Sequence, residues 1–250
     1  VDVPSHIARL RTEGELMAQA IEAVAPTAPI PTCPEWTMRD LVLHQGEVHR
    51  WACAHVAGRR TEPVGDDEDV VGPLPADADL SPWFRDGCAA LVDALEQADP
   101  ALECWTFMKA PSPLAFWARR QCHETAVHRV DAQSASGAIT PIPADIAADG
   151  VDELLTGFIT RSKTRLRSDV PRTIAVRTTD TSDAWLVRVS ADPVVTERGS
   201  TDAEADCTVS GGASDLELFL WNRFGRETVD VAGDASLLDL WRDTVTIRWS

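Results

Sequence analysis

Apolar positions recur at helical spacing through the first half of the chain and at strand spacing through much of the second. Ile7, Leu10, Met17, Ile21 and Val24 form one stripe, with Gly14 on it and Ser5 placed to cap it. The proline-rich stretch 26–34 ends that helix. Thr37, with Asp40 three residues on, predicts the start of a second helix, whose inner stripe reads Leu41, His44, Val48, Trp51 and His55. Residues 59–80 carry Pro, Gly and Asp without periodicity and predict a loop, either a solvated acidic segment or a cover over a site. Ser81 followed by Pro82 predicts a third helix with Phe84, Cys88, Leu91 and Leu95 on one face. A β-like run, Cys104 to Phe107, precedes a fourth helix from about Leu114 to Ser136.

After a linker at 137–143 and one more helix, from Asp145 to about Leu166, the period changes. Ile174 and Val176, then Trp185, Val187 and Val189, alternate with other residues around the turn formers 180–183, which predicts a hairpin. A strand at Cys207–Val209 follows, then a helix opened by Ser214 and Glu217 and running to Phe224. A short strand at Val229 and Val231, a helix capped by Asp234 and a final strand through Val245, Ile247 and Trp249 complete the reading. The expected architecture is an all-α four-helix bundle over 1–140 and a small α+β domain over 141–250.

Composition removes several function classes. The net charge is -17 and the pI about 4.6, which repels phosphate backbones and anionic lipid, so nucleic acid and membranes are not expected partners. No window reaches a membrane-helix length of apolar residues, and no secretory leader is read at the first ten residues. The six cysteines form no C-x-x-C pair and predict reduced thiols without disulfides, in the cytoplasm.

The chemistry concentrates on the fourth helix. At about 100° per residue, Trp117, Gln121, Glu124, His128 and Asp131 share one face. A carboxylate turned inward is costly unless it is paired or bound to a metal. Glu124 and His128, one turn apart, can grip one ion, and His44 on the second helix is the natural third ligand. Divalent zinc accepts this donor set and retains an open position. His55 lies 11 residues beyond His44, about 16 Å along the helix, too far to share the ion. His49 and His123 are placed on other faces. Spacing alone leaves two other readings open: an i, i+4 Glu–His pair, and hydrogen-bonded core histidines. Asp131 or Gln121 is the expected hydrogen-bond partner of a ligand imidazole.

Two runs narrow the choice. The segment Pro31-Thr-Cys-Pro-Glu-Trp-Thr-Met-Arg-Asp-Leu-Val-Leu-His44 to Trp51, and Phe116-Trp-Ala-Arg-Arg-Gln-Cys-His-Glu124-Thr-Ala-Val-His128-Arg-Val-Asp131, resemble the two signatures of the mycothiol-dependent maleylpyruvate isomerase family. That family belongs with the DinB-like thiol-dependent metalloenzymes. The run Ala205 to Gly211 and the run Asp215 to Arg223 resemble its second, sterol-carrier-like domain. The resemblance implies metal ligands at His44, Glu124 and His128, and mycothiol as the thiol cofactor or co-substrate. It implies an isomerase or S-transferase that attacks a small electrophile with a thiolate. It also suggests that the second domain completes the site, with Arg223 clamping a carboxylate; the rival reading places Arg223 in solvent at a helix end. Lysine occurs only at Lys109 and Lys163 among 23 basic residues, in keeping with the GC-rich actinobacteria that make mycothiol. The alternative function is a non-catalytic small-molecule or lipid-binding protein with a vestigial metal site.

Overall fold

A computed structural model describes residues 1–64, 68–199 and 204–246. The chain divides into two compact units, Val1–Thr140 and Pro141–Ser250.

The first unit is helical. Helix α1 (Val3–Glu22) is capped by Asp2, which accepts from the Ser5 backbone N–H at 2.9 Å. The cap falls three residues before the expected Ser5, because Pro4 suits a first turn, where no N–H is needed. Helix α2 (Met38–Ala57) opens with the expected capping box between Thr37 and Asp40. Its buried face differs from the expected stripe. Met38, Val42, Gln45, His49, Ala52 and Val56 join Leu41 and His55 in the interior, while His44, Val48 and Trp51 are half-buried. Polar residues on the inward face explain the misplaced stripe: Gln45 and His49 both reach Thr125 of a facing helix. His44 therefore lies at the edge of the core rather than inside it.

The stretch read as a loop contains a short helix, α3 (Glu68–Val71), and a 3-10 turn at Asp77–Asp79. Helix α4 (Leu80–Gln97) buries Phe84, Cys88, Leu91 and Leu95 as expected. Ser81 does not cap it; its hydroxyl donates to Glu22 at 2.6 Å. Gly14 lets α1 approach α4, since a Cβ there would collide with the Cys88 Sγ. The run Cys104–Phe107 forms no strand. Trp105 instead donates its N–H to the Arg60 carbonyl and accepts from the Trp117 indole, and its ring joins Trp51, Phe107 and Trp117 in an aromatic cluster.

Helix α5 (Pro113–Ser134) is capped by Ser112 and has every residue from Arg120 to Ser134 buried. A helix buried all round cannot show the single apolar stripe of a surface helix. That is why it carries two fully buried arginines, Arg120 and Arg129, which the sequence reading did not place.

The second unit opens with α6 (Ala144–Asp152), which passes into a π-helical turn at Glu153–Phe158. The expected helix to Leu166 stops there. Gly157 weakens it, and the Thr160 hydroxyl bonds back to the Thr156 carbonyl. Strands β1 (Arg172–Thr178), β2 (Ala184–Val189), β3 (Val195–Arg198), β4 (Cys207–Gly211) and β5 (Asp230–Gly233) form one mixed sheet in the order β3-β2-β1-β4-β5. The expected hairpin joins β1 and β2, and β1 runs parallel to β4. Helix α7 (Ala213–Leu220) is not opened by a Ser214–Glu217 box. Asp180 accepts from its Ala213 N–H, and Ser214 Oγ accepts from the Ile142 N–H. It ends three residues before Arg223, sooner than expected. Asp234 accepts from the backbone N–H and hydroxyl of Ser236 at the start of α8 (Ser236–Thr244). Val245 follows α8 outside any described strand; Ile247 and Trp249 lie outside the described residues.

Candidate metal centre

Three side chains of the first unit converge. His44 comes from α2, and Glu124 and His128 from successive turns of α5. Glu124 Oε1 lies 3.7 Å from His44 Nε2 and 3.4 Å from His128 Nε2. One candidate donor atom from each of the three lies within 4.8 Å of the others. Two ligands on one tetrahedral zinc are about 3.3 Å apart at ordinary bond lengths, so both Glu–His edges are close to what the ion requires.

The hydrogen bonding around these atoms leaves one oxygen for an ion. Glu124 Oε2 accepts from Arg120 Nη2 at 2.7 Å, while Oε1 is buried without any hydrogen-bond partner. A buried carboxylate oxygen with no donor is costly, and a cation between Oε1 and the two imidazoles removes that cost. Burial alone would raise the Glu124 carboxyl, but Arg120 and the imidazoles of His128 and His44 hold it well below the ordinary carboxylate range. His128 donates its Nδ1–H to Asp131 Oδ2 at 2.8 Å, which turns the Nε2 lone pair toward Glu124 and His44. Burial opposes the charged imidazole, yet Asp131 and Glu124 together raise His128 above its usual value. Asp131 is thus the residue placed beside a candidate ligand imidazole. Gln121 is buried, and its Oε1 has no hydrogen-bond partner.

A loop closes over the two rings. Trp36 lies 4.9 Å from the His44 ring and stacks at 22° on His128, with centroids 6.0 Å apart. Sequence reasoning quoted Trp36 in the first run but gave it no role; its place four residues before the Asp40 of the capping box, and eight before His44, was the available signal. His55 is remote in function. It donates Nδ1–H to the Trp51 carbonyl and accepts from the Val64 N–H, tying residues 59–64 to α2. Arg223 lies in the second unit just past α7, half-buried, with Nη1 donating to the Trp221 carbonyl at 2.9 Å. Arg226 bonds Asp239 and the Ala235 carbonyl.

Beside the centre, His49, which lies on a different face of α2 from His44, is fully buried. Its Nε2 lies 2.9 Å from both Gln45 Nε2 and Thr125 Oγ1. Burial, with a smaller contribution from Arg50, pushes it down to about 3, so it stays neutral when folded. Unfolded, it gains a proton below about pH 6.5. Stability is therefore present above pH 6.5 and is lost as pH falls toward 3. Between pH 6 and 4 the wild type should lose about 1.4 kcal/mol per pH unit more than His49→Gln. Urea unfolding of both proteins across that range measures it, and parallel pH profiles would contradict it.

A helical bundle presenting two histidines and a glutamate in metal-ligand geometry, joined to a separate α+β unit, defines a class of two-domain proteins with a metal-type centre. Residues 7–133 match the mycothiol maleylpyruvate isomerase N-terminal domain, and residues 145–240 match the MDMPI C-terminal domain. The chain belongs to the mycothiol-dependent maleylpyruvate isomerase family. Crystal structures of mycothiol-dependent maleylpyruvate isomerase and of one of its mutants are 16% identical to it, each covering 93% of both chains at a TM-score of 0.63, which establishes the shared fold. No curated protein matches the chain. Among the described residues no helix is long and apolar enough to cross a membrane, and none of the six cysteines forms a disulfide.

Proposed function

We propose that the chain is a metal-dependent, mycothiol-using enzyme that directs a thiolate at a small electrophile. The observation that carries this reading is the partnerless Glu124 Oε1 facing the Nε2 atoms of His44 and His128. His44, Glu124 and His128 would hold the ion, with zinc the metal best suited to two nitrogens and one oxygen. Zinc, when bound, supplies a Lewis acid that keeps a thiol sulfur deprotonated and nucleophilic near neutral pH.

The residues of the chain do the remaining work. Arg120 ties up one oxygen of Glu124, so a single oxygen is offered and a position stays open for the thiol. Asp131 fixes the tautomer of His128. Trp36 shields both imidazoles on one side and limits water there. The thiolate adds to an activated double bond, the bond rotates, and expulsion of the thiolate returns the double bond in the other geometry. If the adduct instead takes up a proton at carbon and is released, the reaction is thiol transfer. We rank this general thiol chemistry above maleylpyruvate itself as the substrate. Cysteines without disulfides suit a reducing cytoplasm.

We also propose Arg223 as the clamp for a substrate or thiol carboxylate, through its planar guanidinium. The family resemblance of the run Asp215–Arg223 supports it.

The test is an assay of zinc-loaded protein with mycothiol and a panel of electrophiles that includes maleylpyruvate. Metal-dependent isomerisation or thiol consumption, abolished by chelator, is expected. Arg223→Ala should retain zinc and lower kcat/KM for carboxylate-bearing substrates by about 10–100-fold, the size of one lost charge-assisted contact. Zinc-loaded protein that neither binds nor consumes the thiol would favour the carrier reading, with the site vestigial.

A further inference from the structure

The loop between α1 and α2, residues 23–37, is held by its own backbone hydrogen bonds and by a buried side chain. The Cys33 N–H donates to the Ile30 carbonyl, Trp36 N–H to Cys33, and Ile30 N–H back to Trp36, at 2.8–3.0 Å. Ile30 is fully buried among Met17, Ile21, Met38 and Leu41 and anchors the loop in the core. The loop meets the metal centre twice. Trp36 lies over the imidazoles from one side. Thr32 reaches Asp131, the carboxylate that holds His128.

That second contact has a definite direction. Thr32 Oγ1 donates to Asp131 Oδ1 at 2.6 Å, and Ser134 Oγ lies 3.3 Å from the same hydroxyl. Ser134 itself donates to the Asp131 carbonyl at 2.6 Å, so the proton on Thr32 goes to the carboxylate. With Oδ1 engaged by the loop, Oδ2 is directed at the His128 Nδ1–H at 2.8 Å. Asp131 thus accepts from Thr32 on one oxygen and from His128 on the other, and the Nδ1–H bond leaves the His128 Nε2 lone pair for the centre. Asp131 is fully buried, so water cannot readily take the place of the Thr32 hydroxyl.

We propose that Thr32 is a positioning residue for the metal centre: its hydroxyl aims Asp131, Asp131 aims His128, and the affinity for zinc depends on the loop that carries Thr32. This rests on the metal-binding reading above. It extends that reading from the three ligands to a residue almost a hundred positions away in sequence. By linkage, bound zinc should in turn hold the loop more firmly.

The experiment measures zinc binding rather than turnover. Metal-free full-length wild type, Thr32→Val and Thr32→Ser are titrated with zinc against a chromophoric chelator of known affinity. Their melting temperatures are recorded without metal. Thr32→Val keeps the shape and removes the hydroxyl; it should weaken zinc binding by about 10-fold, the lower end of the loss usual for partners of metal ligands. Thr32→Ser keeps the hydroxyl and should bind as the wild type does. Hydrogen exchange at 30–36 should slow on zinc addition in wild type and less in Thr32→Val. If Thr32→Val binds zinc like the wild type, or if Thr32→Ser is weakened equally, the proposal is overturned and Thr32 is only a packing residue. Should Thr32→Val fail to fold, Thr32→Ala against Thr32→Ser makes the same comparison. Wild type that binds no zinc at all would instead overturn the metal reading.

Discussion

Glu124→Gln should lose zinc and also destabilise the metal-free protein, and the two losses have separate causes. The amide keeps the shape of the side chain but removes the charge that pairs with Arg120 and that the proposed ion would need. Zinc binding should weaken by more than about 100-fold, beyond the 10–100-fold range of residues that only orient a ligand. Turnover should fall with it. Arg120, 1% exposed, meanwhile loses the carboxylate 2.7 Å from its Nη2. Losing this buried charge-assisted contact costs about 1.5–3 kcal/mol, or roughly 5 °C in melting temperature for a chain of this size. Thermal unfolding in chelator isolates this second effect. A Glu124→Gln protein that held zinc as tightly as the wild type would remove Glu124 from the centre.

The parts of this fold that were legible in the sequence are those in which local chemistry and tertiary packing agree. Thr37 and Asp40 form a capping box whatever surrounds them, and Ile174, Val176, Trp185 and Val187 pair across a hairpin because the turn between them sets the register. The i, i+4 spacing of Glu124 and His128 places them on one side of any helix. The register of α2 was misread because its inward face carries Gln45 and His49, which an apolar-stripe argument assigns to solvent. Their hydrogen bonds to Thr125, 80 and 76 residues away, leave no trace in local pattern. Strand β3 was missed for the opposite reason: it is short and mostly exposed, and has no buried face to alternate. Thr32 and Trp36 lie in a proline-rich stretch that reads as a helix terminator, and their roles depend on a loop fold set by Ile30. Arginine at 120 and 129 reads as surface until α5 is seen to be buried on all sides.

Glu13 is the most consequential of these hidden charges. It sits on the apolar face of α1 between Leu10 and Met17 and is fully buried. Arg129, equally buried, donates Nε to Glu13 Oε2 at 2.6 Å and reaches Oε1 through Nη2 at 3.4 Å. Its Nη1 donates to Gln133 Oε1 at 2.9 Å and to the Thr140 carbonyl and hydroxyl. Arg9 closes the other side of the carboxylate. This network joins α1 to α5 and holds the chain that leaves α5. Arg129 follows the candidate ligand His128 in sequence but bonds Glu13 of α1. Glu13→Ala should therefore cost about 3–5 kcal/mol, because a guanidinium is left buried with only neutral acceptors and the half-exposed Arg9 beside it. Zinc affinity of the folded protein should stay at the wild-type value. The pair as a whole is worth far less than that figure, since both ions gave up hydration to form it. Glu13→Leu combined with Arg129→Met should thus be more stable than either single change, by at least about 2 kcal/mol. Urea denaturation of the four proteins completes the cycle. A Glu13→Ala loss below about 1 kcal/mol, the range of surface pairs, would mean that water reaches Arg129 and that the network is not the anchor between the two helices.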